Sequence, residues 1–212
     1  MKIFKILLAA YRPLTLGEMQ IALKVERDSE STENLEMESE DHFGENLQEY
    51  CGFFISVNSG QVYFLHQTCR ASLLARMQPS DSSLAIPRNK HNWRHSISIQ
   101  QVHLLLADCS IVYLKFPEWL EEKNEYGPTD HNMINQHTNG HSFLNHTVRR
   151  WAIQLQQAED IADRVVLNDS LKLCNLQSKR FCPWFQLYWE STYHSTKDPR
   201  ICRFEDRIVL RP

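Results

Sequence analysis

Residues 63–74, YFLHQTCRASLL, place His66 and Cys69 three positions apart, where a β-rich run gives way to a helix-forming one. A thiol at a helix N-terminus has a lowered pKa, and a histidine one turn away could serve as its base. Catalytic pairs are, however, usually assembled from distant parts of a chain, and no oxyanion-binding motif stands nearby. The pattern favours Cys69 as a core thiol and leaves the role of His66 open.

Ten histidines raise the possibility of a metal site. His91 and His95 are four positions apart, so that one helix would present both imidazoles on the same face. We assign four others to a polar insertion: His131, His137, His141 and His146. A stable zinc site needs three or four protein ligands, and no carboxylate or thiolate spacing completes the set. We expect no metal site and most of these histidines at the surface.

Motifs for hydrolytic chemistry are missing from the sequence. None of the six glycines stands at Walker spacing ahead of a Lys-Ser or Lys-Thr pair. There is also no G-x-S-x-G and no H-E-x-x-H. We therefore expect a protein with no catalytic residues and no cofactor of its own, while a hydrolase or thiol enzyme remains the alternative for activity screens.

The composition indicates an ordinary globular protein. The 212 residues are 42% hydrophobic and carry a formal charge of −3, so no global field draws the chain to nucleic acid or to a membrane. The six cysteines are scattered without a C-x-x-C pair, which is typical of buried thiols in a reducing compartment. No run approaches the ~18 apolar residues of a membrane span. These features predict a cytoplasmic location.

The first 78 residues predict helix, helix, helix, hairpin and helix. A first helix follows from the spacing of Ile3, Phe4, Leu7, Leu8 and Tyr11.

A second helix begins at about Leu16, since Thr15 and Glu18 form a capping box and Leu14 and Met19 a hydrophobic staple. Its inward side chains are Leu16, Met19 and Leu23. Residues 26–41 hold eight acidic side chains and predict a solvated, flexible loop.

A third helix over 42–52 would turn Phe43, Leu47, Tyr50 and Cys51 inward and stop at a left-handed Gly52. The runs FFISV and QVYFLHQ flank the turn residues NSG and predict a hairpin. Thr68 is the expected N-cap of the fourth helix. This order is that of a winged-helix domain, the helix-turn-helix variant with a β-hairpin wing.

The second half predicts a helical domain over 97–190, joined by a linker at 79–96 and followed by an irregular tail at 191–212. Four helices follow from the 3–4 spacing of apolar residues, the first with inward Val102, Leu105, Leu106, Cys109, Val112 and Tyr113. The next carries Leu144, Val148, Trp151 and Leu155. Pro183 must lie in a first turn or at a kink. The fold class is therefore mainly α with a small β-hairpin wing.

Nucleic-acid binding is the alternative function that winged-helix architecture raises. A small basic patch, with Arg88, Lys90, Trp93 and Arg94, would suit it. The candidate recognition helix, FGENLQEYC, carries two glutamates and no Lys or Arg, and the wing turn is uncharged. The helix would repel a phosphate backbone and the turn would not attract one, so nucleic-acid binding is the less favoured function.

Several stretches resemble the large fungal signalling NTPases of the STAND class, which are NACHT-type, NOD-like receptors often followed by ankyrin repeats. The resemblance spans residues 3 to 190 and is carried by ILLAAYRPLTLGEMQIAL, CGFFISVNSGQVYFLHQTCRASLL, HSFLNHTVRRWA and FCPWFQLYW. In that family a winged-helix domain, also labelled a GPI inositol-deacylase winged helix, follows the NTPase core, and a helical segment and repeats come next. The resemblance implies a non-enzymatic module for signal transduction through protein–protein contacts. Its partners would be the NTPase or repeat domain of the parent architecture, and not a membrane.

The resemblance also gives His66 a role. In such proteins a histidine in a Met-His-Asp-like motif at the end of the wing contacts the β-phosphate of ADP. Leu65 and Gln67 stand here in place of the motif's Met and Asp. His66 is therefore a possible ADP-phosphate sensor, but only together with an NTPase domain. Since the phosphate-binding motif is missing, we expect the chain to be a fragment, a truncated gene model or a reduced relative.

Overall fold

The computed structural model describes residues 2–74, 96–121 and 142–193. These residues are mainly helical, with one small three-stranded antiparallel sheet, which confirms the predicted fold class. Within them, no helix is both long enough and apolar enough to cross a membrane. The predicted linker and tail lie almost wholly outside the described residues.

Residues 2–74, the helix–hairpin unit, follow the predicted order of elements. Its helices are α1 (Lys2–Ala9), α2 (Leu16–Lys24), α3 (Glu40–Cys51) and α4 (Gln67–Leu73). Its strands are β1 (Leu14–Thr15), β2 (Ile55–Asn58) and β3 (Gln61–Phe64), in the sheet order β1-β3-β2. The sequence did not reveal β1, because two residues are too few for an alternating pattern.

The hairpin turn is formed by Ser59 and Gly60, with φ of 50° and 72°. Two successive positive φ values match the right-handed twist of the flanking strands, and glycine adopts such values without strain. The Gly60 carbonyl accepts the backbone N–H of Leu16 at 2.9 Å. The turn is thereby attached to the first residue of α2.

The capping box at the start of α2 is confirmed. The Thr15 hydroxyl accepts the Glu18 backbone N–H at 3.1 Å, and the Glu18 carboxylate accepts the Thr15 backbone N–H at 2.8 Å. Leu14 and Met19, the predicted staple pair, are fully buried. The box and the buried pair fix where the chain enters α2.

Two tyrosines that were predicted to face inward are exposed. Tyr11 lies beyond the end of α1 and is 76% exposed, with the Arg150 guanidinium 3.9 Å from its ring centroid. The helix stops at Ala9, ahead of Pro13, so the i+8 spacing from Ile3 no longer describes a helical face. Tyr50 is 83% exposed although its spacing places it on the same side of α3 as Phe43 and Leu47, because it lies in the last turn of the helix and no element of the described residues covers it there.

Gly52 ends α3 with φ 44° and ψ −118°. The positive φ agrees with the expected glycine stop, but ψ lies outside the left-handed helical region that we predicted. No atom comes within 4 Å of a Cβ built at Gly52, so its backbone conformation, and not crowding, favours glycine here.

The acidic segment 26–41 is mostly exposed, as expected, yet it makes several contacts. Leu35, in a short 3-10 helix, is only 5% exposed. Arg27 donates to Asp108 and to Asp163, each at 2.8 Å, and the Thr32 backbone N–H donates to Glu118 at 2.6 Å. Its flexibility stays a prediction.

The four helices predicted for the second half are present, and we call this part the helical unit. They are α5 (Ile99–Leu114), α7 (Ser142–Gln156), α8 (Arg164–Cys174) and α9 (Phe181–Tyr193), with a short α6 (Glu118–Glu121) after the first. Pro183 lies in the first turn of α9, one of the two expected positions. Of the inward residues predicted on α5 and α7, Leu105 and Leu155 are half-buried and the others are buried.

The buried side chains of the two units belong to one continuous apolar cluster, to which both α1 and α5 contribute. The ring of Tyr113 occupies its centre, with centroids 5.0 Å from Trp119 and 5.4 Å from both Phe116 and Phe143. The helix–hairpin unit is therefore packed against the helical unit over a shared core. The predicted domain boundaries remain untested.

Candidate functional site

His66 lies two residues beyond the end of β3 and is the N-cap of α4. Its backbone is extended, with φ −145° and ψ 147°, and its Nδ1 accepts the Thr68 backbone N–H at 3.2 Å. The sequence assigned this cap to Thr68, which is wrong. Thr68 lies inside the first turn, and its hydroxyl is 2.9 Å from the same Nδ1. The alternating spacing of Val62, Phe64 and His66 would also suit a half-buried histidine on one face of the strand, but the imidazole is exposed.

The cap decides which nitrogen of His66 carries the proton. Because Nδ1 accepts a backbone N–H, the neutral ring must hold its hydrogen on Nε2. Within the described residues, Nε2 has no protein hydrogen-bond partner. The exposed side of the ring is therefore a donor that can reach an anion in solution or on another protein.

The thiols differ from one another more than the sequence suggested. Cys51 and Cys109 are buried, and burial raises the pKa of the Cys109 thiol to about 11. Cys69 is only half-buried, and Cys174 is exposed at the last position of α8, which contradicts burial of all the cysteines. Cys182 and Cys202 fall where no side chain is described. The backbone N–H of Cys69 donates to the His66 carbonyl, as expected in a first helical turn. The imidazole is hydrogen-bonded to Thr68 and not to the Cys69 thiol.

His146 is the ionisable residue that the sequence misplaced. We counted it with the polar insertion, but it lies in α7 with 3% of its surface exposed, stacked on Phe143 at a centroid distance of 5.5 Å. Burial lowers its pKa to about 4; Arg12 and Arg150 act in the same direction and Glu18 opposes them. Its Nε2 has no hydrogen-bond partner in the described part of the chain. The run FLNHTV, with apolar residues three and two positions before His146 and two positions after it, was the available signal.

Near His146, the helix–hairpin unit contains an ion pair in which Glu18 is buried and Arg12 is partly exposed. Glu18 is 2% exposed, and its carboxylate accepts both terminal nitrogens of Arg12, at 2.5 and 2.8 Å. The same carboxylate closes the capping box with Thr15. A bidentate guanidinium and a backbone N–H satisfy a charge that would otherwise be costly to bury. The group is a structural joint and holds no free nucleophile.

Comparisons with protein-family models, curated proteins and solved structures found no match. The geometry and the sequence resemblance are therefore the basis for any functional proposal.

Residues able to bind a metal do not come together in 2–74, 96–121 and 142–193, where no group of three His, Cys, Asp or Glu side chains is arranged around a common point. The pair His91 and His95 lies outside the described residues, as do His131, His137 and His141. The basic patch with Arg88, Lys90, Trp93 and Arg94 lies outside them too. None of these predictions can be compared with the structure.

One shallow cavity opens at the far end of the helical unit, where α5 and α8 end. It is lined by Lys115, Lys172, Leu173, Asn175, Ser178 and Arg180. Asp169 accepts Lys115 at 2.7 Å and Lys172 at 3.1 Å, and Arg180 donates to the Lys115 carbonyl. Lys115, Lys172 and Arg180 already have protein partners, so we interpret them as hydrogen-bonding groups that stabilise the helix ends and not as ligands for an anion.

Proposed function

We propose that this chain is a regulatory and interaction module of a NACHT-type, STAND-class signalling protein, acting in the cytoplasm without enzymatic activity of its own. In that setting it relays the nucleotide state of an NTPase domain to downstream repeats. The observation that carries the proposal is the exposed Nε2–H of His66 at the end of the hairpin. A phosphate oxygen on a neighbouring domain would accept that proton donor, and the contact would break when the domains separate.

The exposed face of α8 supports a role in protein contacts. Val166, Ser170 and Leu173 face the core, whereas Leu167 and Leu171 on another side are 36% and 70% exposed. A helix with apolar residues on two sides is typical of stacked helical architectures, in which each helical layer covers the next. Downstream repeats would cover this second face.

A relay also needs the two units to move together. The shared core joins them, and Arg27 bridges α5 and the start of α8 through Asp108 and Asp163. Exposed ion pairs contribute little stability, so the shared apolar core, and not Arg27, provides the stiffness. A contact made at His66 would then displace α8 as part of one body.

Nucleic-acid binding receives less support. Residues 28–69, which contain α3 and the hairpin, include nine carboxylates and no Lys or Arg. Affinity for nucleic acid comes largely from cations that neutralise phosphates. The carboxylates of α3 and the hairpin segment would instead repel the phosphate backbone.

The decisive experiment measures binding of this chain to the NACHT-type NTPase domain of the same organism, loaded with ADP or with a non-hydrolysable ATP analogue. We expect about tenfold tighter binding of the ADP form, the effect of one hydrogen bond to a charged group. His66→Ser should remove that preference while keeping the helix cap, because serine is a good N-cap residue. Gln67→Ala, at the exposed neighbouring position, is the matched control and should retain it.

Equal binding of both nucleotide forms, or an unchanged preference in His66→Ser, would contradict the proposal. Isothermal titration of the chain alone should show no binding of ATP, and tight binding there would also contradict it. A salt-dependent shift of duplex DNA at sub-micromolar protein would instead favour the nucleic-acid alternative.

A further inference from the structure

Three large apolar side chains stand in solvent around the end of the hairpin opposite its turn, and we call them the hairpin patch: Tyr50, Phe53 and Leu65. They are 83%, 89% and 56% exposed. The backbone brings them together, because the Leu65 N–H donates to the Phe54 carbonyl at 3.0 Å and Phe53 directly precedes Phe54. Tyr50 lies in the last turn of α3, three residues before Phe53.

The hairpin patch concentrates large apolar side chains at one end of the hairpin. Phe54 packs inward against Phe4, at a centroid distance of 5.4 Å, and its neighbour Phe53 is left in solvent. The two exposed aromatic side chains alone present on the order of 300 Å² of surface. Scattered exposed leucines need no explanation, but exposed apolar side chains grouped at one place are often part of a binding surface.

An acidic face on α3 leads to the patch, formed by Asp41, Glu45 and Glu49. Their i, i+4, i+8 spacing places them along one side of the helix, and all three are exposed. None of them forms an ion pair within the described residues. Glu49 and Tyr50 both lie in the last turn of α3, so the acidic face and the hairpin patch share the same end of that helix.

Among the described residues close to α3, Lys24 of α2 pairs with Glu38 at 3.7 Å and not with the acidic face. Residues 28–69 contain no Lys or Arg, and the first cation of α4 is Arg70. Its guanidinium is directed back toward α1, where it donates to the Leu8 carbonyl at 3.5 Å. The segment that carries both the acidic face and the hairpin patch is therefore strongly negative.

This charge decides among the possible occupants. A two-fold dimer through the patch would bring two acidic faces together, and a phosphate backbone or an anionic lipid surface would be repelled. We propose that the hairpin patch and the acidic face form one docking surface for a basic protein segment that carries apolar side chains among its Lys and Arg residues. The apolar groups would cover Phe53 and Leu65, and the cations would pair with Glu45 and Glu49. The proposal rests on the interaction role proposed above and names the chemistry of the partner.

The test uses three fluorescent 18-residue peptides: an amphipathic Lys–Leu helix, a Lys–Ser peptide of equal charge and a Glu–Leu peptide of equal apolarity. Fluorescence anisotropy with the full chain should show binding of the Lys–Leu peptide, and the other two should bind at least about tenfold more weakly. Phe53→Ser with Leu65→Ser, and Glu45→Lys with Glu49→Lys, should each weaken binding by about tenfold or more. All four sites are exposed, so far-UV circular dichroism and the thermal midpoint should stay unchanged.

Matched controls come from the other exposed surface of the chain. Leu176→Ser and Glu159→Lys make the same chemical changes at exposed positions away from the hairpin and should leave the affinity unchanged. Equal losses in these controls, equal binding of the Glu–Leu peptide, or no binding of the Lys–Leu peptide would overturn the docking surface. Self-association that Phe53→Ser abolishes would overturn it in favour of a second copy.

The two proposals fail separately. An ADP-dependent, His66-dependent complex combined with a negative peptide result would remove only the docking surface. Peptide binding without nucleotide dependence would remove only the relay function.

Discussion

Replacing His146 with phenylalanine should make the stability of this protein less sensitive to mild acid. The imidazole is 3% exposed and its pKa is lowered to about 4, mainly by burial. In the unfolded chain the same group titrates near pH 6.5. Below about pH 6.5 the imidazole becomes protonated in the unfolded state but stays neutral in the folded state. The free energy of unfolding therefore decreases until the pH falls below the folded pKa.

The size of the effect follows from the two pKa values. A difference of roughly 2.5 units corresponds to about 3 kcal/mol once the pH is below 4, of which about 2 kcal/mol is lost between pH 7.5 and pH 5. Glu18 offsets part of the cost of protonation, whereas Arg12 and Arg150 add to it. His103, whose pKa is also lowered by burial and by Arg70, contributes in the same direction and is present in every variant compared.

The assay is urea unfolding followed by tryptophan fluorescence at several pH values from 7.5 to 5.0, a window in which most carboxylates remain ionised. His146→Phe keeps a ring against Phe143 and removes the titration. Val148→Ala, a buried change on the same helix, controls for a general loss of stability and should keep the wild-type pH dependence. Equal losses in wild type and His146→Phe over this window would refute the reasoning.

Other consequences of the structure can be checked on the same preparation. Thr15→Ala should lower the free energy of unfolding by about 1 kcal/mol through loss of the capping box, and Thr15→Ser should stay near wild type; equal stability of both variants would contradict the cap. In native alkylation at pH 8 followed by peptide mass spectrometry, Cys174 should react before Cys109, whose thiol is buried with its pKa raised to about 11, and similar rates would count against that burial. Phe143→Ala should cost about 3–5 kcal/mol in thermal or urea unfolding, because it empties the site beside Tyr113; a loss below about 1 kcal/mol would show that the ring is not central to the core.

The elements that the sequence predicted well are those encoded by neighbouring residues. The start of α2 follows from Thr15 and Glu18, whose mutual hydrogen bonds span one helical turn. The hairpin follows from Ser59 and Gly60 between two β-rich runs, since a turn is a local event. The core face of α5 follows from periodicity alone for the same reason.

The candidate site was harder to predict. The sequence singled out His66 but gave the cap to Thr68, because hydroxyl side chains are the common N-caps and a histidine is a rare one. It grouped His146 with polar neighbours, although Phe143 and the packing of α7 against α2 decide its burial. Tyr50 satisfied the apolar spacing of α3 and still faces solvent, since spacing does not reveal that the packing on this side ends before the last turn of the helix.

The sequence by itself determined the mainly helical fold class, the order of the elements in residues 2–74 and the acidic character of α3, because composition, caps and turns act over a few residues. Only the tertiary structure decided which of two apolar-looking faces is buried, that Glu18 and His146 lie inside the joint between the units, and that the Nε2–H of His66 points into solvent. Burial and protonation depend on groups far apart in the chain, such as Arg12 and Arg150, and no local pattern reports what those groups will approach.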